Sequence, residues 1–271
     1  MVMFCFFVPS ISYCQQAIPY GSNHGKYVLI SSKKIYYEEY GKGTPLILLE
    51  GGMKSIKDFS SIIPTLQKNF RVIAPDDPGQ GRSEMFDTLT YDLLADYVSK
   101  LIDILKLDSA YVIGWSDGGI AALILSTKRP DKIKKILVSG ANYTKNGYVS
   151  KDSTKTDTLQ LIGPGNQLSP EDEKWAKEYF VANPSSWTRI INDRIVMWYQ
   201  SFLFQKDLFS KINIPVLFVS GDRDIIKLEH TIEMYRLVKK SQLCILPNTG
   251  HAVFSERPDW IDQIAIDFFL K

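Results

Sequence analysis

The chain has 271 residues, a hydrophobic share of 45% and a formal net charge of +2. This length and composition suffice for one large domain with a packed core. The balanced charge and the absence of basic runs argue against a nucleic-acid partner. No stretch reaches the roughly 20 apolar residues that a transmembrane helix requires, so no stable membrane span is expected.

The N-terminal stretch MVMFCFFVPSISYCQQ is typical of the apolar core of a secretory signal. Ser12 and Cys14 are small residues that lie three and one positions before a cleavage ahead of Gln15. No Lys or Arg precedes the apolar run, which departs from the usual pattern. We expect residues 1–14 to be a signal peptide and the protein to be exported, to the periplasm or the medium. If the segment is instead a disordered tail and the protein is not exported, we expect it to be cytoplasmic.

The cysteines predict neither a disulfide framework nor a metal site. Cys5 and Cys14 lie in the N-terminal segment, and Cys244 lies in the apolar run LCIL, as a small buried hydrophobic residue would. The sequence contains no C-x-x-C, no H-E-x-x-H, no G-x-x-x-x-G-K-[ST] and no dinucleotide-binding glycine motif after the first strand. We therefore expect no metal and no cofactor.

Short apolar runs predict the strands of a sheet. Residues 26–41, KYVLISSKKIYYEEYG, contain two β-rich runs around SSKK and predict a hairpin. Six later runs are apolar without alternation, which is typical of strands buried on both faces of a parallel sheet. These runs are LILL (46–49), RVIAP (71–75), AYVIG (110–114), KILVSG (135–140), PVLFVSG (215–221) and QLCILP (242–247).

Helical patterns lie between these strands. In YDLLADYVSKLIDILKL, residues 91–107, apolar side chains recur at i, i+3, i+4 and i+7, which predicts a helix with one face on the sheet. Residues 118–128, 228–238 and 258–269 show similar patterns. Alternating buried strands and amphipathic helices predict an α/β fold with a doubly wound parallel sheet and right-handed crossovers.

The alternation is interrupted once. Residues 142–212 contain no buried-strand run; they are polar at first, then helical in pattern and rich in aromatic residues. A stretch of this length is too long for a plain loop and should contain its own elements. We predict a helical cap at residues 142–212, inserted between the two parts of the core at residues 26–141 and 213–271.

The segment YVIGWSDGGIAAL carries the motif G-x-S-x-G between a predicted strand and a predicted helix. A serine on such a turn has a strained backbone, and Gly114 and Gly118 remove the side chains that would clash. Ser116 is therefore predicted to be a nucleophile raised above the sheet. It would lie at a helix N-terminus, where free N–H groups suit a developing oxyanion.

A serine hydroxyl is a weak nucleophile unless a base takes its proton. His24 lies near the start of the chain and His230 lies in a helical pattern. His251 follows a strand, at the edge of the sheet where open α/β folds bind their ligands, so we predict His251 as the base. The imidazole needs an acid beside it, and both Asp222 and Asp224 in VSGDRDII are candidates.

The stretches GWSDGGIAALIL, RPDKIKKILVSGAN, PGQGRS, GDRD and TGH resemble the α/β-hydrolase fold superfamily, from about residue 26 to the C-terminus. The nearest branch is that of valacyclovir hydrolase, the biphenyl hydrolase-like serine esterases. The resemblance implies a mostly parallel eight-stranded sheet, with the cap between its sixth and seventh strands. The family's acid occupies the last position of G-x-x-D, which favours Asp224 over Asp222.

The same resemblance implies an oxyanion hole. Its second donor usually comes from an H-G-x loop after the third strand, and the matching stretch here is LLEGGMKS, in which Glu50 replaces the histidine. The N–H of Gly52 or of Met53 would then act with the N–H of Asp117. Losing one such donor costs roughly a hundred- to a thousandfold in rate. In PGQGRS, Gln80 also stands where histidine is common.

Three residues near the nucleophile are candidates for substrate binding. In valacyclovir hydrolase the aspartate of G-W-S-D-G-G recognises the amino group of an α-amino acid ester, so the resemblance implies that Asp117 pairs with an ammonium. The alternative is that Asp117 stabilises the helix N-terminus. Glu50 either adds negative charge to the same pocket or belongs to a buried hydrogen-bond network. Trp115 is the third candidate.

These residues predict a serine hydrolase that cleaves small carboxylic esters through a Ser-His-Asp triad and an acyl-enzyme, with α-amino acid esters as the class that Asp117 would select. A haloalkane dehalogenase is not expected, because it would need a carboxylate nucleophile at position 116, where this chain has serine. A C–C bond hydrolase, an amidase or peptidase, and a cofactor-free haloperoxidase use the same triad and are kept as alternatives. A non-catalytic ligand-binding protein of this fold is a further one. The expected partner is a small-molecule ester; the oligomeric state is not predicted.

Overall fold

The computed structural model describes residues 25–149, 170–183, 185–200 and 204–271. Over this part of the chain, eight strands form one sheet. The strands are β1 (Lys26–Ile30), β2 (Lys33–Tyr40), β3 (Thr44–Leu49), β4 (Phe70–Pro75), β5 (Ala110–Trp115), β6 (Ile133–Ser139), β7 (Val216–Gly221) and β8 (Ser241–Leu246).

The strand order is β1-β2-β4-β3-β5-β6-β7-β8. β2 runs antiparallel to both β1 and β4, and every other neighbouring pair is parallel. Ser31 and Ser32 make the turn of the β1–β2 hairpin with φ of 50° and 64°. The predicted hairpin and the predicted mostly parallel, eight-stranded α/β sheet are therefore confirmed.

Helices cover the sheet. In the described ranges they are α1 (Ile63–Leu66), α2 (Tyr91–Ile104), α3 (Asp117–Lys128), α4 (Pro170–Tyr179), α5 (Trp187–Trp198), α6 (Leu208–Lys211), α7 (Leu228–Leu237), α8 (Val253–Glu256) and α9 (Pro258–Leu270). The four helices predicted from periodicity correspond to α2, α3, α7 and α9. α3 differs from the prediction in one respect, because all residues from 117 to 126 are buried and the helix has no polar face over that stretch.

The parallel strands are buried on both faces. Leu46 and Leu48 of β3 belong to one apolar core, whereas Ile47 and Leu49 belong to the core on the other side. Successive side chains of a strand point to opposite faces, so a strand between two cores must be apolar at every position. β8 lies at the edge of the sheet and is only half buried, apart from Leu246.

Helices α4, α5 and α6 lie between β6 and β7, where the cap is predicted. Ala176, Phe180, Ile190 and Ile191 form a separate apolar cluster in α4, α5 and their connection, and Met53 and Met85 of the core pack against it. Residues 150–169, 184 and 201–203 fall outside the described ranges, as does the predicted signal peptide at residues 1–14. The cap boundaries and the signal peptide stay predictions.

The described ranges contain neither a candidate membrane span nor a candidate metal site. No helix there has the length and apolar character to cross a bilayer. No group of three or more His, Cys, Asp and Glu side chains there is arranged to hold a metal ion.

Candidate active site

The turn between β5 and α3 is a strained elbow. Ser116 has φ 53° and ψ −117°, a conformation of a kind that costs about 1–3 kcal/mol. A Cβ on Gly114 would lie 2.5 Å from the carbonyl oxygen of Gly118, and a Cβ on Gly118 would overlap the carbonyl of Leu49. Glycine at these two positions therefore lets the strand, the elbow and the helix approach closely enough to present Ser116 at the N-terminus of α3.

His251 follows β8 and contacts a buried carboxylate. Its Nδ1 lies 2.7 Å from Oδ1 of Asp224, whose side chain is fully buried, while the imidazole is 20% exposed. The same carboxylate oxygen accepts a hydrogen bond from the backbone N–H of Ile226 (2.9 Å). Asp224 thus orients the ring through Nδ1, which leaves Nε2 as the nitrogen that can accept a proton.

Asp222, the other carboxylate considered as the acid, has a different position. It is exposed, and its Oδ1 accepts a hydrogen bond from the backbone N–H of Thr249 (3.1 Å). Backbone hydrogen bonds from Asn248 and Thr249 lower the pKa of the Asp222 carboxyl. Asp222 therefore stabilises the loop that leads to His251. Asp224 is the carboxylate that contacts the imidazole.

The imidazole of His251 and the backbone of Ser116 each contact the end of β6. A Cβ on Gly140, which has φ 63°, would lie 2.6 Å from Cε1 of His251, so the ring rests directly on this glycine. The preceding residue, Ser139, accepts a hydrogen bond from the backbone N–H of Ser116 (2.8 Å). The His251 ring and the backbone of Ser116 thus both lie beside residues 139 and 140, at the carboxyl edge of the sheet, and the triad with Asp224 stays a prediction.

Trp115 supports the loop of His251. Its indole Nε1 donates a hydrogen bond to the backbone carbonyl of His251 (2.9 Å), and its ring centroid lies 5.8 Å from that of the imidazole. Trp115 is only 4% exposed. Its polar atom is used within the protein to hold the loop of His251, and a role of Trp115 in substrate binding stays a prediction.

The loop after β3 is hydrogen-bonded to the turn that carries Ser116. The backbone N–H of Gly118 donates a hydrogen bond to the carbonyl of Glu50 (3.0 Å). A Cβ on Gly51 would lie 3.2 Å from the Cβ of Ser116. The predicted oxyanion loop therefore lies beside the nucleophile.

The two candidate donors of that loop differ in what their N–H groups do. The N–H of Met53 already donates a hydrogen bond to Oε1 of Gln80. Gly52 lies against Asp117, because a Cβ on Gly52 would overlap the Asp117 carboxylate. The N–H of Met53 is therefore engaged within the protein, so Gly52 is the loop residue carried into the proposal below, together with Asp117 at the start of α3.

Glu50 belongs to a buried hydrogen-bond network, the second of the two roles considered for it. Its side chain is fully buried, and Oε1 accepts hydrogen bonds from the N–H of Asp77 (2.9 Å) and from Nε2 of Gln80 (2.8 Å). Burial, and then the charges of Asp76 and Asp77, raise the pKa of the Glu50 carboxyl well above its ordinary value. Oε1 of Glu50 is thus engaged within the protein, and a contact between Glu50 and a substrate stays a prediction.

The carboxylate of Asp117 is buried and engaged at both oxygens. Oδ2 accepts a hydrogen bond from Nη1 of Arg194 (3.0 Å), and Oδ1 accepts one from the hydroxyl of Tyr91 (2.8 Å). The indole Nε1 of Trp198 lies 2.9 Å and 3.2 Å from the two oxygens. Asp117 is 1% exposed. A substrate ammonium would have to displace these donors to reach the carboxylate, and the recognition of an amine by Asp117 stays a prediction.

Arg194, on α5, is a residue of this site that the sequence analysis missed. It is fully buried and pairs with Asp117 (3.0 Å) and with Asp77 (3.3 Å). Tyr97 donates a hydrogen bond to the other oxygen of Asp77 (2.5 Å). Burial opposes the charge on Arg194, but the two carboxylates outweigh it and raise the pKa of the guanidinium. One cation therefore joins the inserted helix to two carboxylates of the core.

A signal for Arg194 was present in the sequence. Ile190, Ile191 and Met197 are the buried apolar residues of α5, and Arg194 lies on the same face at helical spacing. A charged residue within an apolar stripe is buried only with a partner of opposite charge. The pattern could have predicted a buried ion pair, but not which carboxylates take part.

The fold and this arrangement of residues define the class of protein. The family model of the α/β-hydrolase fold matches residues 44–163. This match and the solved structures below show the α/β-hydrolase fold. The hydrolase-named relatives support a hydrolase enzyme.

Individual relatives support the predicted resemblance to the biphenyl hydrolase-like branch. The chain is 28% identical to the human serine hydrolase BPHL over 255 residues, which span 89% of this chain and 84% of that protein. It is 23% identical to the 2-hydroxy-6-oxo-2,4-heptadienoate hydrolase of Pseudomonas putida, across 90% of this chain and 95% of the relative. The structure of the meta-cleavage product hydrolase CumD of Pseudomonas fluorescens superimposes with a TM-score of 0.74 at 21% identity, covering 90% and 97% of the two chains.

Removing the buried cation should destabilise the protein. Arg194→Met is expected to lower the free energy of unfolding by about 3–5 kcal/mol, because two buried carboxylates lose their counter-charge. Urea and thermal unfolding measure this loss. Arg189→Met, on the same helix, is the matched control: that side chain is 49% exposed and pairs with Asp193, and its loss should cost about 1 kcal/mol or less. Equal losses in the two variants would contradict the role of Arg194.

The raised pKa of Glu50 should make stability depend on pH. A carboxyl whose pKa is higher in the folded state contributes most below its ordinary value of 4.5. Its contribution falls as the pH rises toward the folded value. Glu50→Gln keeps an acceptor oxygen and removes the titration, so the fall in Tm with rising pH should become shallower. Glu229→Gln, at an exposed position of α7, should keep the wild-type slope; an unchanged slope in Glu50→Gln would refute the assignment.

Proposed function

We propose that the protein is a serine hydrolase that cleaves small carboxylic esters through an acyl-enzyme. The hydroxyl of Ser116 attacks the ester carbonyl while Nε2 of His251 takes its proton, and Asp224 stabilises the imidazolium that forms. The alcohol leaves with the proton from His251. A water molecule, deprotonated by the same ring, then attacks the acyl group and returns Ser116 to its free form.

The observation that carries this proposal is the position of the imidazole. Its Nδ1 is held by Asp224 at 2.7 Å, and the ring rests on Gly140. Gly140 directly follows Ser139, the residue that accepts the backbone N–H of Ser116. A base with a fixed orientation beside a strained serine is the arrangement that nucleophilic catalysis requires.

The oxyanion of the tetrahedral intermediate would be bound by backbone N–H groups of Gly52 and Asp117. Gly52 belongs to the loop that is fastened to the elbow, and Asp117 is the first residue of α3. Donors fixed in advance around the position of developing charge are commonly the largest contribution to such catalysis. The positive end of the α3 dipole adds to them.

A second candidate function is the hydrolysis of a C–C bond. The observation that favours it is the similarity to the 2-hydroxy-6-oxo-2,4-heptadienoate hydrolase, which extends over 90% of the chain. The two candidates are separated by comparing kcat/KM for 4-nitrophenyl butyrate with that for a ring-cleavage dienoate. A higher value for the dienoate would replace the ester assignment while keeping the same three residues.

Three variants test the roles of the site residues. Ser116→Ala should reduce ester hydrolysis to the background rate, and Asp224→Asn should reduce kcat by about 10⁴-fold, because the ring loses the tautomer that it needs. Asp222→Asn is the matched control and should keep kcat/KM within about threefold of the wild type, since its amide oxygen can still accept the N–H of Thr249. Steady-state kinetics measure all three. Full turnover in Ser116→Ala would overturn the mechanism, and folded wild-type protein that no fluorophosphonate labels would favour a non-catalytic ligand-binding role.

The engaged carboxylate of Asp117 predicts no preference for amines. The 4-nitrophenyl esters of alanine and of propionate differ only in the ammonium group, so kcat/KM for the two should agree within about tenfold once the faster spontaneous hydrolysis of the alanine ester is subtracted. Competition assays at several pH values measure the ratio. A larger preference for the alanine ester would indicate that the substrate ammonium displaces Arg194 and Tyr91 from the Asp117 carboxylate.

A further inference from the structure

The carboxamide of Gln80 lies under the predicted oxyanion loop. Gln80 is fully buried, in the connection between β4 and α2. Its Oε1 accepts the backbone N–H of Met53. Its Nε2 donates to Oε1 of Glu50 (2.8 Å) and to the backbone carbonyl of Gly51 (3.1 Å). One side chain therefore contacts the loop on both sides of Gly52.

The contact with Gly51 has a direct consequence for Gly52. The carbonyl of Gly51 and the N–H of Gly52 belong to the same planar peptide unit, and in a trans peptide they point in opposite directions. A donor that holds the carbonyl therefore determines where the N–H points. Accepting a hydrogen bond also polarises the peptide unit and strengthens its N–H as a donor.

Glu50 helps to fix the orientation of the Gln80 carboxamide, with Nε2 toward Gly51 and Oε1 toward Met53. A carboxamide has one donor end and one acceptor end. Oε1 of Glu50 accepts from Nε2 of Gln80, and Oε1 of Gln80 accepts from Met53. A flipped carboxamide would place its oxygen against two acceptors, at Glu50 and at the Gly51 carbonyl. The flipped orientation is therefore excluded, and the donor stays on the Gly51 carbonyl.

We propose that Gln80 is a positioning residue that aims the N–H of Gly52 at the oxyanion, with Glu50 setting the orientation of its carboxamide. The proposal rests on the proposed function, because it requires an oxyanion to be stabilised. It also assigns one role to the two positions, 50 and 80, at which the chain departs from the histidines of its family.

Two variants of Gln80 test the proposal. Gln80→Met keeps a side chain of similar length without hydrogen bonds. Gln80→Asn keeps the carboxamide but is one methylene too short to reach Met53 and Glu50 together. Each should lower kcat for 4-nitrophenyl butyrate by about 10²-fold with little change in KM, because the misdirected donor acts in the transition state. Gln263→Met, at an exposed position of α9, is the control and should keep wild-type kinetics.

A role in folding alone is distinguished by two further measurements. Titration with a fluorophosphonate counts the competent active sites, so kcat is expressed per folded molecule. An alkylboronic acid forms a tetrahedral adduct with the serine hydroxyl and places one oxygen in the oxyanion hole. Its inhibition constant should weaken in the Gln80 variants by the same factor as kcat/KM, whereas inhibition by the butyrate product should change little.

The outcomes distinguish the role of Gln80 from the proposed serine hydrolase mechanism on which it rests. A kcat per site within about threefold of the wild type in either Gln80 variant, a rise in KM alone, or unchanged boronate binding overturns the role of Gln80. Ser116→Ala with full activity overturns the serine hydrolase mechanism instead. A loss of kcat matched by a loss of boronate affinity supports the proposal.

Discussion

The guanidinium of Arg194 lies between two carboxylates that come from different parts of the core. Asp117 follows the nucleophile at the start of α3, and Asp77 follows β4, while Arg194 itself belongs to an inserted helix. Where water is excluded, three such charges are stable only together, since a carboxylate without its partner would be costly to keep buried. The position of α5 over the elbow is thus set by charge as well as by apolar packing. The arrangement ties the inserted helix directly to the turn that carries Ser116.

This pairing also shapes the electrostatics of the site. Asp117 follows Ser116, Glu50 precedes the loop beside it, and Asp224 contacts His251. Unpaired carboxylates there would oppose the negative charge that develops in the proposed reaction. Each is compensated in a different way. Burial shifts Glu50 toward its neutral form, Arg194 pairs with Asp117, and His251 contacts Asp224. In the proposed mechanism, the backbone donors and the N-terminal end of α3 would then stabilise the oxyanion without competition from these carboxylates.

Sequence alone predicted the features that depend on local geometry. The turn around Ser116 follows from glycines two residues away, and the buried strands follow from uninterrupted apolar runs. The fold was predicted correctly for this reason. The choice of Asp224 over Asp222 rested on a family motif, and the contact with His251 agrees with it. Arg194 was missed because its partners lie 77 and 117 residues away along the chain. Periodicity reports which face a residue occupies, but not which distant residue it meets.

The link between Glu50 and Gln80 has a consequence for how this sequence can change over time. The two positions lie 30 residues apart, yet the donor of one requires the acceptor of the other. A single exchange at either position leaves an unmatched polar group in the interior, while a paired exchange can preserve the match. Mutational scans that alter one position at a time would score both as intolerant. In an evolving lineage, such a pair is expected to be replaced jointly, so its imprint is covariation rather than invariance of either residue.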